Sequence, residues 1–205
     1  MDTTAFSEPA TFTDDEVSEA SHVPGRLDLA RLAQSTLKMT RASFCARYRA
    51  IFLLQIQEIA EKADEELSVR FPTVVMASAR FRTAKVGLPP YAYPLEKRAR
   101  ANAFALMVTV GRAANNDIVI PDPSVSKFHA SLARDEAGRW TITDWSTNGT
   151  WVDGERLLPR IAHPIGPGVM VTLAGRIPLM VASAPDVFDM LETARESSEP
   201  VARAG

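Results

Sequence analysis

The sequence predicts a mainly β protein, in which an antiparallel β-sandwich over residues 91–182 follows an α-helical segment. After Pro94 the apolar residues occur in short runs, separated by turn residues about every eight positions, which is typical of sandwich strands. Residues 27–70, by contrast, contain neither Pro nor Gly, and their apolar residues recur at roughly helical spacing.

The first 90 residues divide into three parts. Residues 1–26 mix Thr, Ser, Pro and acidic residues without a period, so we expect a disordered acidic tail. The helical segment 27–70 is basic in its first part and acidic in its last part. Two copies could therefore pair antiparallel, or the helix could dock on its own domain. Residues 71–90 carry Pro72, Gly87, Pro89 and Pro90, which indicates a linker.

Seven short runs supply the predicted strands of the sandwich. They are Phe104 to Val110, Asp117 to Ile120, His129 to Ala133, Arg139 to Asp144, Thr150 to Val152, Gly168 to Leu173 and Ile177 to Val181. In the last part of the chain, residues 183–205, Pro185 and Asp186 favour the start of a short helix packed on the sandwich. The chain is expected to finish in a frayed tail.

Composition excludes several classes of function. The chain has 205 residues, 46% hydrophobic and 23% charged, with a net charge of -2, so it has no overall attraction to nucleic acid. Cys45 is its only cysteine, which excludes an internal disulfide and a multi-cysteine zinc site, and we expect no metal or cofactor. The acidic start lacks the features of a secretory signal, and the apolar run Ile51 to Leu54 is too short for a bilayer. We therefore expect a cytoplasmic protein without membrane contact.

Three motifs in the β region resemble, in order and spacing, those of the forkhead-associated (FHA) family. They are Gly111-Arg112, Ser126-Lys127-Phe128-His129 and Ser146-Thr147-Asn148-Gly149-Thr150. A lone Asn-Gly would mean little, because it is also a common hairpin turn. The resemblance covers about residues 91–182 and implies an FHA-type sandwich that binds phosphothreonine.

The residue types at these positions suit a phosphate site. Arg112 can make paired, charge-assisted hydrogen bonds to phosphate oxygens, and Lys127 adds a second cation. Ser126 and Thr147 offer hydroxyl donors. The resemblance implies that Asn148 holds the backbone of the bound peptide.

The remaining positions of interest have supporting or selective roles. Gly111, His129 and Gly149 are expected to be structural, with the histidine bracing the loops by hydrogen bonds. The resemblance further implies that loops at Ser124 and Arg176 select residues a few positions after the phosphothreonine. Arg176 favours an acidic residue about three positions downstream of it.

These features predict a non-enzymatic adaptor whose partners are Thr-phosphorylated proteins, the substrates of a Ser/Thr kinase. No motif of a phosphate-binding loop or of a catalytic serine is present. The alternatives are a phosphate-independent assembly protein with an FHA-like fold, and a nucleic-acid-associated factor. The second would use the basic residues Arg70, Arg80, Arg82, Lys85, Lys97, Arg98 and Arg100.

The chain also carries a candidate ligand of its own. Thr13 is followed by Asp14, Asp15 and Glu16. If Thr13 were phosphorylated, it could occupy the site within one chain or in a second copy. Self-association could thus use Thr13 or the helical segment.

Overall fold

The structure, a computed structural model, describes residues 23–48, 51–56 and 88–198, which form two β-sheets and a layer of helices. The elements are β1 (Leu27–Asp28), α1 (Leu29–Ser35), α2 (Arg41–Arg47), β2 (Ile51–Gln55), β3 (Tyr91–Pro94), β4 (Val108–Gly111), β5 (Ile118–Val119), β6 (Ala130–Arg134), β7 (Trp140–Asp144), β8 (Thr150–Val152), β9 (Glu155–Arg156), β10 (Ala162–Pro164), β11 (Met170–Leu173), β12 (Ile177–Ser183) and α3 (Ala184–Ser198).

The two sheets confirm the predicted β-sandwich. One sheet has the strand order β1-β3-β2-β12-β11-β8-β9, and all its neighbours pair antiparallel. The other has the order β10-β7-β6-β4-β5, in which β4 and β5 run parallel. Apolar side chains from both sheets form the core between them, with Val110, Leu132 and Ile142 on one side and Leu53, Val171 and Leu179 on the other.

A second apolar cluster lies on the outer face of the larger sheet, beneath the three helices. Side chains alternate along the strands that cross it: Leu53 faces the sandwich core, whereas Phe52 and Leu54 face the helices. Helix α3, predicted from its first residues, is confirmed and buries Val187 and Leu191 here. No helix within the described ranges is long and apolar enough to cross a membrane.

Hydrogen bonds hold the helical layer together. Ser183 and Asp186 exchange hydrogen bonds in a capping box at the start of α3. Near its other end, Arg195 donates to the Ala33 carbonyl at 3.0 Å and to Thr36 Oγ1 at 2.6 Å, at the carboxyl end of α1. The described helices are therefore docked on their own domain.

The helical segment predicted over residues 27–70 is only partly confirmed. Helices α1 and α2 lie within it, but the helix expected at Ile51–Gln55 is wrong, because these residues form the strand β2 between β3 and β12. A short apolar run fits a helix as well as a strand buried on both faces, and burial on both faces is what the structure shows. The predicted boundary at residue 91 therefore falls inside the sheet. Residues 1–22 of the predicted tail, residues 57–70 and most of the predicted linker lie outside the described residues. The last four residues of the predicted tail, 23–26, are described, and Arg26 lies over the Tyr91 ring at 3.9 Å.

Removing β2 should abolish folding of the sandwich. Phe52, Leu53 and Leu54 are buried, and each contributes about 1.5–3 kcal/mol, a sum comparable with the whole stability of a domain. We expect a chain shortened to residues 88–205 to lose cooperative thermal unfolding in calorimetry, whereas a chain that begins at residue 23 keeps it. Cooperative unfolding of the shorter chain would show that β2 is dispensable.

Candidate functional site

Three loops meet at one end of the sandwich: the residues after β4, the loop before β6 and the turn between β7 and β8. The Arg112 N–H donates to the Ser126 carbonyl at 3.0 Å. The Thr147 N–H donates to Ser126 Oγ at 3.1 Å. The amide of Asn148 donates to the Ser124 carbonyl at 2.7 Å. The residues of the three sequence motifs are thus brought together.

Gly111 sits where the first two loops approach most closely. A Cβ placed on it would lie 2.4 Å from the Lys127 carbonyl oxygen, so no side chain fits. The same carbonyl accepts a hydrogen bond from the Asn116 amide at 2.6 Å. This geometry supports the structural role expected for Gly111.

His129 connects the second and third loops from within. Its ring is fully buried; Nδ1 accepts from the Ser126 N–H at 3.1 Å, and Nε2 lies 3.2 Å from the Gly149 carbonyl. A neutral ring with its proton on Nε2 satisfies both contacts. Burial lowers the pKa of His129, although the contact with Gly149 and the charge of Asp144 oppose this shift. The fold therefore favours the neutral ring.

The turn between β7 and β8 is built on a buried carboxylate. Asp144 Oδ1 accepts from the Ser146 N–H at 3.1 Å, from Ser146 Oγ at 2.7 Å and from Thr150 Oγ1 at 2.8 Å. Ser146 Oγ in turn accepts from the Gly149 N–H at 2.7 Å. These bonds fix the turn without using Thr147 or Asn148, which remain exposed.

Two cations at the site have no carboxylate partner within the described part of the chain. Arg112 and Lys127 are exposed, and neither side chain forms an ion pair or hydrogen bond with the described residues. The nearest candidate partner in sequence, Asp117, is buried and is engaged by Lys97 Nζ at 2.7 Å and by the Thr109 N–H at 2.8 Å. Burial raises the pKa of Asp117, but these hydrogen bonds outweigh it and lower the pKa. Among the described residues, Arg112 therefore takes part in no surface salt bridge.

The two positions expected to select ligands are both linked to Asp122. Ser124 donates from N–H and Oγ to Asp122 Oδ1, at 2.8 and 2.5 Å. These bonds, and more weakly the charge of Arg176, lower the pKa of Asp122. Arg176 is exposed in the loop between β11 and β12.

One cation beside the turn was not predicted. Arg156 lies against Gly149, since a Cβ on that glycine would be 2.7 Å from Arg156 Nε. Its guanidinium carbon is 5.3 Å from the centre of the Trp151 ring. Asp153-Gly154, a hairpin signal, could have predicted that Arg156 lies opposite Trp151.

The family follows from this architecture and its motifs together. Residues 108–174 match the family model of the FHA domain, and that range includes all three motifs, the five strands of the smaller sheet and β8, β9 and β11 of the larger sheet. The chain therefore contains an FHA domain, a non-enzymatic interaction module, and its FHA-type sandwich is confirmed.

Three individual proteins are similar to parts of this chain. The ABC transporter ATP-binding/permease protein Rv1747 of Mycobacterium tuberculosis is 40% identical over 75 residues, which is 37% of this chain and 8% of the relative. The chain thus spans less than a tenth of that protein. Among solved structures, Mycobacterium tuberculosis EmbR in complex with a low-affinity phosphopeptide is 20% identical, with a TM-score of 0.42 over 75% of this chain and 30% of that one. An Arabidopsis thaliana FHA domain is also 20% identical, with a TM-score of 0.41 over 65% and 85%.

The buried histidine should make stability depend on pH. Because its pKa is lower in the folded chain than the unperturbed value of about 6.5, the unfolded chain takes up the proton first as pH falls. We expect His129→Gln to cost about 1–3 kcal/mol at about pH 7.5, and this difference from wild type to shrink toward pH 5. Denaturant unfolding across that range measures it. A difference that stays constant or widens would contradict a neutral His129.

Proposed function

We propose that this protein is a phosphothreonine-binding adaptor, which brings together proteins that a Ser/Thr kinase has marked. The observation that supports this most is that Arg112 and Lys127 are exposed, have no ion-pair partner among the described residues, and lie in loops that hydrogen bonds of Ser126 and Thr147 bring together. Members of the FHA family bind phosphothreonine peptides, and residues 108–174 match that family. The phosphothreonine binding of the family is thus assigned to the loops of Arg112, Ser126 and Thr147 in this chain.

Each side chain has a distinct part in the proposed binding. The Arg112 guanidinium would bind two phosphate oxygens through paired charge-assisted bonds, with Lys127 adding charge without fixed direction. The hydroxyls of Ser126 and Thr147 would donate to the remaining oxygen positions. Asn148 uses its NH₂ group on the Ser124 carbonyl, which leaves its oxygen to accept an N–H from the peptide backbone.

Of the three described residues of the basic stretch that the nucleic-acid alternative would use, two are bonded within the domain, and Arg100 is exposed. Lys97 is paired with Asp117, and the Arg98 guanidinium donates to the Ala114 carbonyl. These two residues are thus used inside the domain. Arg70, Arg80, Arg82 and Lys85 lie outside the described residues.

We also propose that phosphorylated Thr13 is a ligand of this site. The position of the N-terminal segment supports this proposal. Gly25 approaches the Asp117 carbonyl so closely that a Cβ would lie 2.3 Å from it. Asp117 ends the loop that begins at Arg112, so Gly25, two residues after Val23, lies against the far end of that loop. The ten residues from Thr13 to Val23 can span at most about 35 Å, enough for Thr13 to reach the site of its own chain.

Arg112→Ala should abolish binding of phosphothreonine peptides while the domain stays folded. Loss of a charged partner of a phosphate costs about 2–5 kcal/mol, or about 30-fold or more in Kd. Calorimetric titration with a degenerate pool of phosphothreonine peptides measures it, with the unphosphorylated pool as a blank.

Arg139→Ala is the matched control, because Arg139 is exposed but is paired with Asp135 in a distant turn. This variant should bind the pool as wild type does. Equal affinity of Arg112→Ala and Arg139→Ala would show that the site assignment is wrong.

Phosphorylation of Thr13 should lower affinity for added phosphothreonine peptides, because a tethered ligand competes at an effective concentration of about a millimolar. The comparison uses wild type and Thr13→Ala before and after treatment with a Ser/Thr kinase, with light scattering to detect dimers. Unchanged affinity and mass despite confirmed phosphorylation of Thr13 would refute both the closed chain and the exchanged dimer.

A further inference from the structure

We propose that Arg156 and Trp151 form a second anion-binding position beside the phosphothreonine site, for an acidic or phosphorylated side chain of the same ligand. This inference rests on the proposed phosphothreonine function and adds a determinant of ligand choice to it. We call the pair the Arg–Trp shelf.

A tight hairpin fixes the shelf. Strands β8 and β9 are joined by Asp153 and Gly154, whose φ angles are 48° and 87°. Two successive residues with positive φ are typical of a type I′ turn, which allows only one register. In that register Trp151 lies directly opposite Arg156, and the guanidinium reaches the indole ring.

The shelf is held against the turn that carries Thr147 and Asn148. Arg156 Nε and Nη2 would lie 2.7 and 3.0 Å from a Cβ on Gly149, so the guanidinium occupies space that only a glycine leaves open. Gly149 also has a φ of 95°, which a larger residue rarely adopts. The glycine of the third motif thus admits a cation one residue away from Asn148.

The guanidinium of Arg156 is available to a ligand. It forms no ion pair and no hydrogen bond with the residues that the structure describes, and it is exposed. Arg41 and Arg139, which are also exposed, are each paired with an aspartate at 2.9 Å. The face of the Arg156 guanidinium lies toward the indole and its Nε and Nη2 lie toward Gly149, so the outer N–H groups of this planar fork are the ones that can meet carboxylate or phosphate oxygens.

The shelf continues toward Arg176. A Cβ on Gly175 would lie 3.5 Å from Trp151 Cη2, so the indole connects β9 with the loop between β11 and β12. Three features therefore follow one another beside the turn: the cation of Arg156, the indole of Trp151 and the cation of Arg176. A ligand fixed by its phosphate at Arg112 and by its backbone at Asn148 would present neighbouring side chains to this strip.

The test compares wild-type full chain with Arg156→Gln, Arg156→Glu and the matched control Arg134→Gln. Arg134 is an exposed arginine whose guanidinium also lies over a tryptophan, 4.6 Å from the Trp140 ring, but on the other sheet. The probes are a phosphothreonine peptide with Ala flanks, and versions with one Glu, phosphoserine or Lys at successive flanking positions. Calorimetric titration gives the Kd of each pair.

We expect Glu or phosphoserine at one flanking position to tighten binding to wild type about three- to tenfold, with a larger gain for phosphoserine. Arg156→Gln should remove this gain without changing the Kd of the Ala-flanked peptide. Arg156→Glu should turn it into a preference for Lys, a reversal that unfolding cannot produce. Arg134→Gln should behave as wild type.

The outcomes separate this inference from the function on which it rests. If the Ala-flanked peptide fails to bind wild type, the phosphothreonine function fails, and the shelf fails with it. If that peptide binds but no acidic position tightens binding, or the gain survives in Arg156→Gln, the shelf alone is refuted.

Discussion

The hydrogen bonds of one buried histidine hold the candidate site together. His129 accepts from the Ser126 N–H and contacts the Gly149 carbonyl, so a single ring fixes the distance between the loop that offers a hydroxyl and the turn that offers Thr147 and Asn148. Because the ring is removed from water, both contacts must form within the protein or remain unsatisfied. The geometry of the exposed groups therefore depends on a residue that no ligand would touch.

Some residues of the candidate site hold the loops in place, and others are exposed to a ligand. Buried Asp144 and Asp117 use their oxygens on backbone N–H groups, hydroxyls and Lys97, and Gly111 lets two loops approach. Asp117 is thus engaged by Lys97, and Arg112 has no carboxylate partner among the residues that the structure describes. A preorganised loop with free cations binds an anion without first breaking internal ion pairs, which is the physical basis of the proposed phosphate recognition.

The sequence predicted much of this arrangement, and the reasons for its failures are physical. The short motifs lie at strand ends, and in a sandwich the loops at one end of the strands lie close together. The motifs therefore predicted which loops meet. The strand Ile51–Gln55 was mistaken for helix, since a sheet covered by helices is apolar on both faces and loses the alternation that identifies a strand. The position of Arg156 was not predicted, because it depends on a cross-strand partner and on the space left by Gly149.

A titration of the ¹⁵N-labelled chain by NMR with a degenerate pool of phosphothreonine peptides tests the central claim most directly. The account predicts saturable shifts of the backbone amides of Arg112, Ser126, Thr147 and Gly149, little change in α1, α2 and α3, and no shifts with the unphosphorylated pool. Shifts of equal size with both pools, or shifts confined to residues away from the three loops, would contradict a phosphate site at Arg112.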